Sequence, residues 1–223
     1  MFSLFQKATQ KPLQTPPRLR GSIRVSREGI EELLDVEEFE KATQAAFVPQ
    51  LDFADGSLLA DLAKRGEKLQ KKEKLTREQL WFGAYYKKEI ESLFFPDVVV
   101  KWIAPFLGWG VFANRDFKKL EYIAQYSGKV RKRQKGDDKN AYCFEYVHAQ
   151  GHPTPYIIDA RDQGGISRYI NHSDSPNLLP ALATLNQITH VILIANQPIS
   201  KGTQLCYDYG PDYWSRRTPP TPL

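Results

Sequence analysis

The sequence predicts an α+β protein in which a β-rich domain of several small sheets follows an N-terminal helical appendage. Up to residue 95 the apolar residues recur mostly at helical spacing, whereas beyond Pro96 short runs of Val, Ile, Tyr and Phe alternate with turn residues. The 223 residues, 41% of them hydrophobic, suffice for one core plus an appendage. The predicted division is a flexible basic arm (1–25), a helical appendage (26–95), the β-rich domain (97–215) and a disordered tail (216–223).

The overall charge is mildly basic. There are 31 Lys and Arg against 26 Asp and Glu, giving a net charge of +5 and a pI near 9.1. Such a surface favours acidic partners, but the excess is too small to decide for or against direct nucleic-acid binding. The N-terminus lacks the pattern of a signal peptide, and no apolar stretch is long enough for a membrane span. We therefore expect a soluble protein without membrane contact, and export by a route without such a signature stays open.

The two cysteines, Cys143 and Cys206, both lie in apolar runs typical of strands. Two cysteines cannot form a zinc cluster without histidines, so the sequence predicts no metal site. Buried, reduced thiols in a reducing compartment are the preferred interpretation.

The first 75 residues predict an arm and two helices. Three prolines and scattered Lys, Gln and Arg indicate a loose arm, and the acidic stretch from Arg27 to Phe47 indicates a first helix. Asp55 begins a second helix with a leucine stripe. Its remaining surface is basic, which favours a solvated face and leaves a docking patch for acidic surfaces as the alternative. The basic residues are Lys64, Arg65, Lys68, Lys71, Lys72 and Lys74.

A third helix is predicted to begin at Thr76. The segment Thr76-Arg77-Glu78-Gln79 has the spacing of a capping box, and Pro96 ends the helix. The side chains expected to enter the core are Leu80, Trp81, Ala84, Tyr85 and Leu93.

Seven strands are predicted beyond Pro96 from runs of β-branched and aromatic residues. They are Val98 to Ile103, Val111 to Ala113, Tyr122 to Ser127, Tyr142 to Val147, Tyr156 to Ala160, His190 to Ala195 and Leu205 to Tyr209. The polar segment from Arg131 to Asn140 is interpreted as an exposed hairpin loop, with a nucleic-acid patch as the alternative.

Three segments carry the functional signal. Arg168-Tyr169-Ile170-Asn171-His172 opens a stretch of amides, imidazole and proline that must turn sharply and present polar groups. Leu205-Cys206-Tyr207-Asp208-Tyr209-Gly210 follows it, and Gly108-Trp109-Gly110 precedes it. With the strands around Tyr126 and Tyr142, these segments resemble the SET-domain protein lysine methyltransferases, in the same order.

The resemblance implies S-adenosyl-L-methionine as cofactor and assigns roles to single residues. Tyr209 stands at the catalytic tyrosine, Tyr126 lines the channel for the substrate lysine, and Tyr207 gates how many methyl groups are added, which implies mainly monomethylation. The implied cofactor-binding residues are Gly108, Trp109, Gly110, Tyr142, Arg168, Asn171, His172 and Tyr209.

The sequence departs from many SET enzymes because it lacks the cysteine clusters before and after the domain. Tyr213-Trp214 are the nearest aromatic candidates to wall the lysine channel instead. The resemblance is strongest to compact bacterial, notably chlamydial, SET proteins, which implies a histone or histone-like substrate. The expected location is the cytoplasm or nucleoid of the producing cell, or a host nucleus after secretion. A non-catalytic SET-fold module that binds protein or nucleic acid is the alternative function.

Overall fold

The computed structural model describes residues 21–215 and Arg217, so most of the predicted arm and tail lie outside the described residues. The N-terminal elements are β1 (Ile23–Arg27), β2 (Ile30–Leu34), α1 (Val36–Thr43), β3 (Ala46–Phe47), β4 (Asp52–Phe53), α2 (Gly56–Lys71), α3 (Arg77–Tyr85) and α4 (Lys87–Glu91). The remaining elements are β5 (Val98–Ala104), β6 (Gly108–Ala113), β7 (Tyr122–Gln125), β8 (Lys129–Lys132), β9 (Cys143–Ala149), β10 (His152–Asp159), β11 (Gln163–Gly164), β12 (Asn171–His172), β13 (Leu178–Leu185), β14 (Ile188–Ala195), β15 (Cys206–Tyr207) and α5 (Pro211–Trp214).

The strands form five small sheets, in agreement with the predicted β-rich α+β fold. Their orders are β2-β1-β5-β6, β4-β8-β10-β9, β13-β14-β7, β11-β3 and β12-β15. Two 3₁₀ turns, Asp137–Lys139 and Ile166–Tyr169, lie between the strands. None of the helices in the described part of the chain is long and apolar enough to cross a membrane.

The predicted helix from Arg27 to Phe47 is wrong in its first half, and the predicted arm ends earlier than residue 25. Ile23 and Val25 are fully buried in β1, which turns at Gly29 (φ 82°) and pairs with β2. The first helix is α1, capped by the Asp35 side chain. The hairpin forms because β1 adds in parallel to β5 and its alternate side chains enter the main core.

The α2 prediction is confirmed, and the six predicted basic side chains are exposed, although Lys72 and Lys74 lie just beyond the end of the helix. The predicted start of α3 is also confirmed, since the Thr76 hydroxyl accepts from the Gln79 amide at 3.0 Å. The second half of the predicted capping box is absent, because the buried Gln79 side chain instead donates to Thr184 Oγ1 at 2.7 Å.

The predicted inner face of α3 is wrong. Trp81 and Tyr85 are 48% and 61% exposed, and their rings stack on the surface at 4.7 Å. Gln79, Phe82 and Gly83 face the protein instead. Gly83 lets the helix axis approach the Thr184 carbonyl of β13, where a β-carbon would lie only 1.8 Å from the oxygen. Close contact at the glycine therefore decides which face is buried.

The predicted exposed loop from Arg131 to Asn140 is wrong at both ends. Arg131 lies in β8, and its guanidinium contacts the carboxylates of Asp137 and Asp159 at 2.7 and 2.6 Å. Asn140 is only 3% exposed. This segment is folded back onto the sheet by polar contacts, so the basic run does not form one continuous cationic surface.

Candidate active site

The site residues predicted from the sequence converge on one open cleft of about 1490 Å³. The decisive local feature is the two-stranded parallel sheet of β12 and β15, in which Asn171 pairs with Cys206 and His172 with Tyr207. This pairing brings the motif that begins at Arg168 and the motif from Leu205 to Gly210 together at the cleft wall. Of the ten predicted site residues, Gly110 is the one that does not line the cleft. Its absent side chain makes room for Ile103 and Gln204, so Gly110 has a packing role.

Two tyrosine hydroxyls in the cleft are oriented by backbone carbonyls. The Tyr126 hydroxyl donates to the Tyr142 carbonyl at 2.9 Å, and the Tyr209 hydroxyl donates to the Ile170 carbonyl at 2.8 Å. Each hydroxyl proton is therefore used in a hydrogen bond to a carbonyl, and the lone pairs of each oxygen stay available to accept a hydrogen bond from a ligand. Burial raises the pKa of both phenols well above the usual value, so they are neutral near pH 7.

Tyr207 belongs to the main core and packs against Tyr209 in the cleft wall. Its ring centroid is 4.8 Å from that of Tyr209, and the side chain is buried. Burial also raises the pKa of the Tyr207 phenol. No hydrogen-bond partner for this hydroxyl is found within residues 21–215 and 217, so it is a polar group available to the cleft.

The C-terminal wall consists of aromatic rings. The Tyr213 ring is 4.6 Å from the Tyr209 ring, and the Trp214 ring is 4.8 Å from the His172 imidazole. The pair predicted to close the channel therefore lies beside it. Arg217 fastens this wall, because its guanidinium stacks on Tyr213 at 4.2 Å.

Another part of the cleft wall is formed by the Gly108-Trp109-Gly110 turn. The Asn171 side chain donates to the Trp109 carbonyl at 3.2 Å, which fixes the turn to β12. The Arg27 guanidinium lies 5.0 Å from the Trp109 ring centre. Arg27 does not line the cleft but supports Trp109, and nothing local in the sequence indicates that the first strand contacts this turn.

Arg168 and His172 have structural partners of their own. Arg168 donates to the Ala160 carbonyl at 2.8 Å and covers the Tyr142 ring at 4.5 Å. The His172 Nδ1 atom accepts from the Tyr209 amide at 3.2 Å. The imidazole therefore holds the chain that carries Tyr209, and both residues shape the cleft through its tyrosines.

The cysteines are reduced and half-buried. Burial raises the pKa of the Cys143 thiol to about 12 and that of Cys206 to about 11, so neither is a reactive thiolate near neutral pH. Within the described ranges, no three His, Cys, Asp or Glu side chains converge as metal ligands.

Comparison with known proteins identifies the domain that holds this cleft. The family model described as the SET domain matches residues 108–210. This part of the chain is similar to a SET domain. The chain is 38% identical over 112 residues to N-lysine methyltransferase KMT5A of Xenopus tropicalis, and this alignment covers 46% of this chain and 33% of the relative. Histone-lysine N-methyltransferase Set8 of Drosophila melanogaster is 36% identical over 112 residues, covering 46% of this chain and 16% of the relative.

These matches leave much of each relative uncompared, since this chain spans a third or less of their length. Among solved structures, KRYPTONITE in complex with mCHH DNA, H3(1-15) peptide and SAH is similar with a TM-score of 0.43 and 31% identity. That similarity covers 51% of this chain and 23% of the other. Residues 108–210, which match the family model, include every residue predicted for catalysis or cofactor binding.

Proposed function

We propose that this SET domain is an S-adenosyl-L-methionine-dependent protein-lysine N-methyltransferase. The observation that carries the proposal is the pair of buried tyrosine hydroxyls, Tyr126 and Tyr209, whose protons are held by carbonyls and whose oxygens face a common aromatic cleft. Such an arrangement accepts hydrogen bonds without acting as a base. It suits a reaction that requires positioning rather than a nucleophilic side chain.

The cleft has the chemistry to hold the cofactor. S-adenosyl-L-methionine supplies a methyl group on a positively charged sulfur, and aromatic faces attract such cations. Tyr126, Tyr142, Tyr207 and Tyr209 all line the cleft. The turn at Gly108 and Trp109, with Asn171 and His172 on the facing strand, would hold the remainder of the cofactor.

The substrate lysine must be neutral to attack, although a free lysine has a pKa of about 10.4. The buried aromatic walls disfavour its charged form by excluding water. The Tyr209 oxygen can then accept an N–H bond of the amine and direct its lone pair, while the Tyr126 oxygen can accept weak C–H contacts from the methyl group. Both hydroxyls fulfil these roles without moving, because carbonyls already fix them.

We further propose that the substrate is a histone or a histone-like basic protein and that the main product is monomethyl-lysine. The support is the similarity to histone-lysine methyltransferases and the Tyr207 hydroxyl, which has no hydrogen-bond partner among the described residues. By the family resemblance, this hydroxyl stands where it would limit the space for a second methyl group. We also propose that the chain belongs to the compact bacterial, chlamydial-type SET proteins. It would act in the cytoplasm or nucleoid, or as an effector in a host nucleus.

Direct nucleic-acid contact through the basic face of α2 is a secondary proposal, supported by the exposure of its lysines.

The proposal is tested by incubating the protein with isotope-labelled S-adenosyl-L-methionine and a panel of histones and bacterial DNA-packing proteins. Mass spectrometry should then find labelled methyl groups on lysine, mainly one per side chain. Cofactor binding by calorimetry, without methylation of any basic protein in the panel, would instead favour the non-catalytic SET-fold module.

A further inference from the structure

We infer that Asn140 is a positioning residue for the Tyr126–Tyr142 pair, through a buried polar chain that begins at Arg131. Neither the family resemblance nor the motifs of the sequence point to Asn140. The inference rests on the proposed function for its kinetic consequences. Its structural basis is independent of that function and follows from hydrogen bonds within one sheet and one loop.

The series of polar contacts begins at Arg131, whose guanidinium is held by two carboxylates. The Arg131 Nε and Nη2 atoms donate to Asp159 Oδ2 at 3.0 and 2.6 Å, and the other side of the guanidinium donates to both Asp137 oxygens at 2.9 and 2.7 Å. These side chains are at most 18% exposed. The arginine keeps the pKa of both carboxyl groups below the usual range, so both stay ionised as acceptors. The loop after β8 is thereby fastened to the end of β10.

Asn140 connects Asp159 to Tyr142, which lines the cleft. Its Nδ2 atom donates to Asp159 Oδ1 at 2.8 Å, and its Oδ1 atom accepts from the Tyr142 amide at 3.0 Å. The side chain is 3% exposed, so water cannot easily replace either bond. Both functional ends of the amide are used, which an aspartate or an alanine cannot reproduce.

The backbone of Tyr142 in turn orients the Tyr126 side chain. The Tyr142 carbonyl accepts from the Ala160 amide and from the Tyr126 hydroxyl, each at 2.9 Å. The Tyr142 ring itself lies under Arg168 and lines the cleft. Loss of Asn140 would release the amide side of Tyr142 and move the carbonyl that sets the direction of the Tyr126 oxygen.

The kinetic test combines Asn140→Ala with Tyr126→Phe. Asn140→Ala should lower kcat by about 10- to 100-fold, because small displacements in a positioned site are costly, while KM for substrate and the cofactor affinity change less than about 3-fold. In the Tyr126→Phe background, the same substitution should have less than about a 3-fold effect on kcat. Additive losses, or an unchanged kcat in folded Asn140→Ala, would overturn the inference.

Lys87→Ala is the matched control. Lys87 lies on α4, outside the cleft lining, and its side chain contacts Glu91 at 4.0 Å in an exposed ion pair. Its loss should change kcat by less than about 2-fold, as expected for a surface ion pair. A loss equal to that of Asn140→Ala would mean that loss of any polar contact impairs the enzyme, and would contradict a specific role.

A readout without turnover separates this inference from the proposed function. In NMR spectra of tyrosine-labelled protein, assigned with Tyr126→Phe, Asn140→Ala should shift the Tyr126 and Tyr142 signals and speed exchange of the Tyr142 amide. Asn140→Asp, which can still accept from that amide, should preserve more of its protection. Unchanged tyrosine signals would overturn the inference even if methyl transfer is measured, whereas shifted signals would support it even if wild-type protein transfers no methyl group. If Asn140→Ala is unfolded, Asn140→Asp and Asn140→Ser supply the same comparison.

Discussion

Single residues in the cleft differ in what their polar atoms do. The hydroxyl protons of Tyr126 and Tyr209 are held by carbonyls, whereas the Tyr207 hydroxyl is free of partners within the described chain. Removal of each oxygen should therefore have a different effect. Two predictions follow from this difference, one about rate and one about product.

We expect Tyr209→Phe to lose about 100-fold in kcat, or ~2.7 kcal/mol of barrier, because the oxygen that accepts from the amine is removed. Cofactor affinity should stay within about 3-fold, since the ring and its contacts with Tyr207 and Tyr213 are retained. Single-turnover kinetics and calorimetry measure the two quantities. Tyr85→Phe on the exposed face of α3 is the matched control, and a Tyr209→Phe rate within 3-fold of wild type would remove Tyr209 from catalysis.

Tyr207→Phe should shift the product from monomethyl-lysine toward di- and trimethyl-lysine. A second methyl group needs space beside the channel end, and the Tyr207 oxygen either fills that space or fixes a water there. The first transfer should keep a rate within about 3-fold of wild type, because no hydrogen bond of Tyr209 depends on this oxygen. Mass spectra after long incubation decide the matter: an unchanged product distribution would show that Tyr207 is only a packed core residue.

Among the elements, α3 shows how a helix can be located by sequence and yet be oriented wrongly. Its start was predictable from Thr76, because capping is local chemistry. Its inner face was not, because the large apolar residues Trp81 and Tyr85 are outside and the small Gly83 is inside. The contact with the Thr184 carbonyl is made by a residue without a side chain, so hydrophobic periodicity carries no trace of it.

Gly83→Ala should lower the free energy of unfolding by about 2 kcal/mol or more. Alanine normally favours a helix over glycine by ~1 kcal/mol, but here the new β-carbon collides with a backbone carbonyl that cannot rotate away. Urea denaturation measures the change, and Ala84→Ser at the neighbouring exposed position is the control. A stabilised Gly83→Ala variant would mean that α3 is not in contact with β13.

The strands show the same division between local and distant causes. Most of the runs rich in Val and Ile were predictable as strands; the β13–β14 ladder is regular, whereas the β5–β6 ladder shifts register between Trp102 and Ala104. β13 was missed because Pro180 interrupts its pattern. It is the edge strand of its sheet, where a missing amide hydrogen is tolerated. Most cleft residues were predictable from motifs, whereas Asn140 and Arg217 belong to no motif, although they line the cleft, and Arg27 contacts Trp109 from a distant strand.

The molecule as a whole should lose stability in mild acid because of its buried histidines. Burial lowers the pKa of His190 to about 4, and that of His148 is lowered also by burial. The His190 Nδ1 atom is 2.9 Å from Gln125 Oε1, while both ring nitrogens of His148 are buried without partners in the described chain. Both imidazoles are therefore neutral in the folded protein.

The unfolded chain, with histidine pKa values near 6.5, takes up protons first as the pH falls. The free energy of unfolding should thus be fully present above about pH 7 and should fall between pH 6.5 and 4, by about 2 kcal/mol at pH 5 from His190 alone. Urea denaturation at pH 7.5 and 5.0 measures the slope. His190→Gln should flatten it and His152→Gln should not; equal slopes for wild type and His190→Gln would contradict the assignment.

The parallel pairing of β12 with β15 also determines when, during synthesis, the cleft can form. Residues 171 and 172 emerge from the ribosome well before residues 206 and 207, and until then the first strand has no neighbour in its sheet. Contacts between such separated segments form late and slowly during folding. Until Tyr207 and Tyr209 have emerged, the nascent chain lacks these parts of the cleft wall. The cleft is therefore completed in one step, when β15 emerges and pairs with β12.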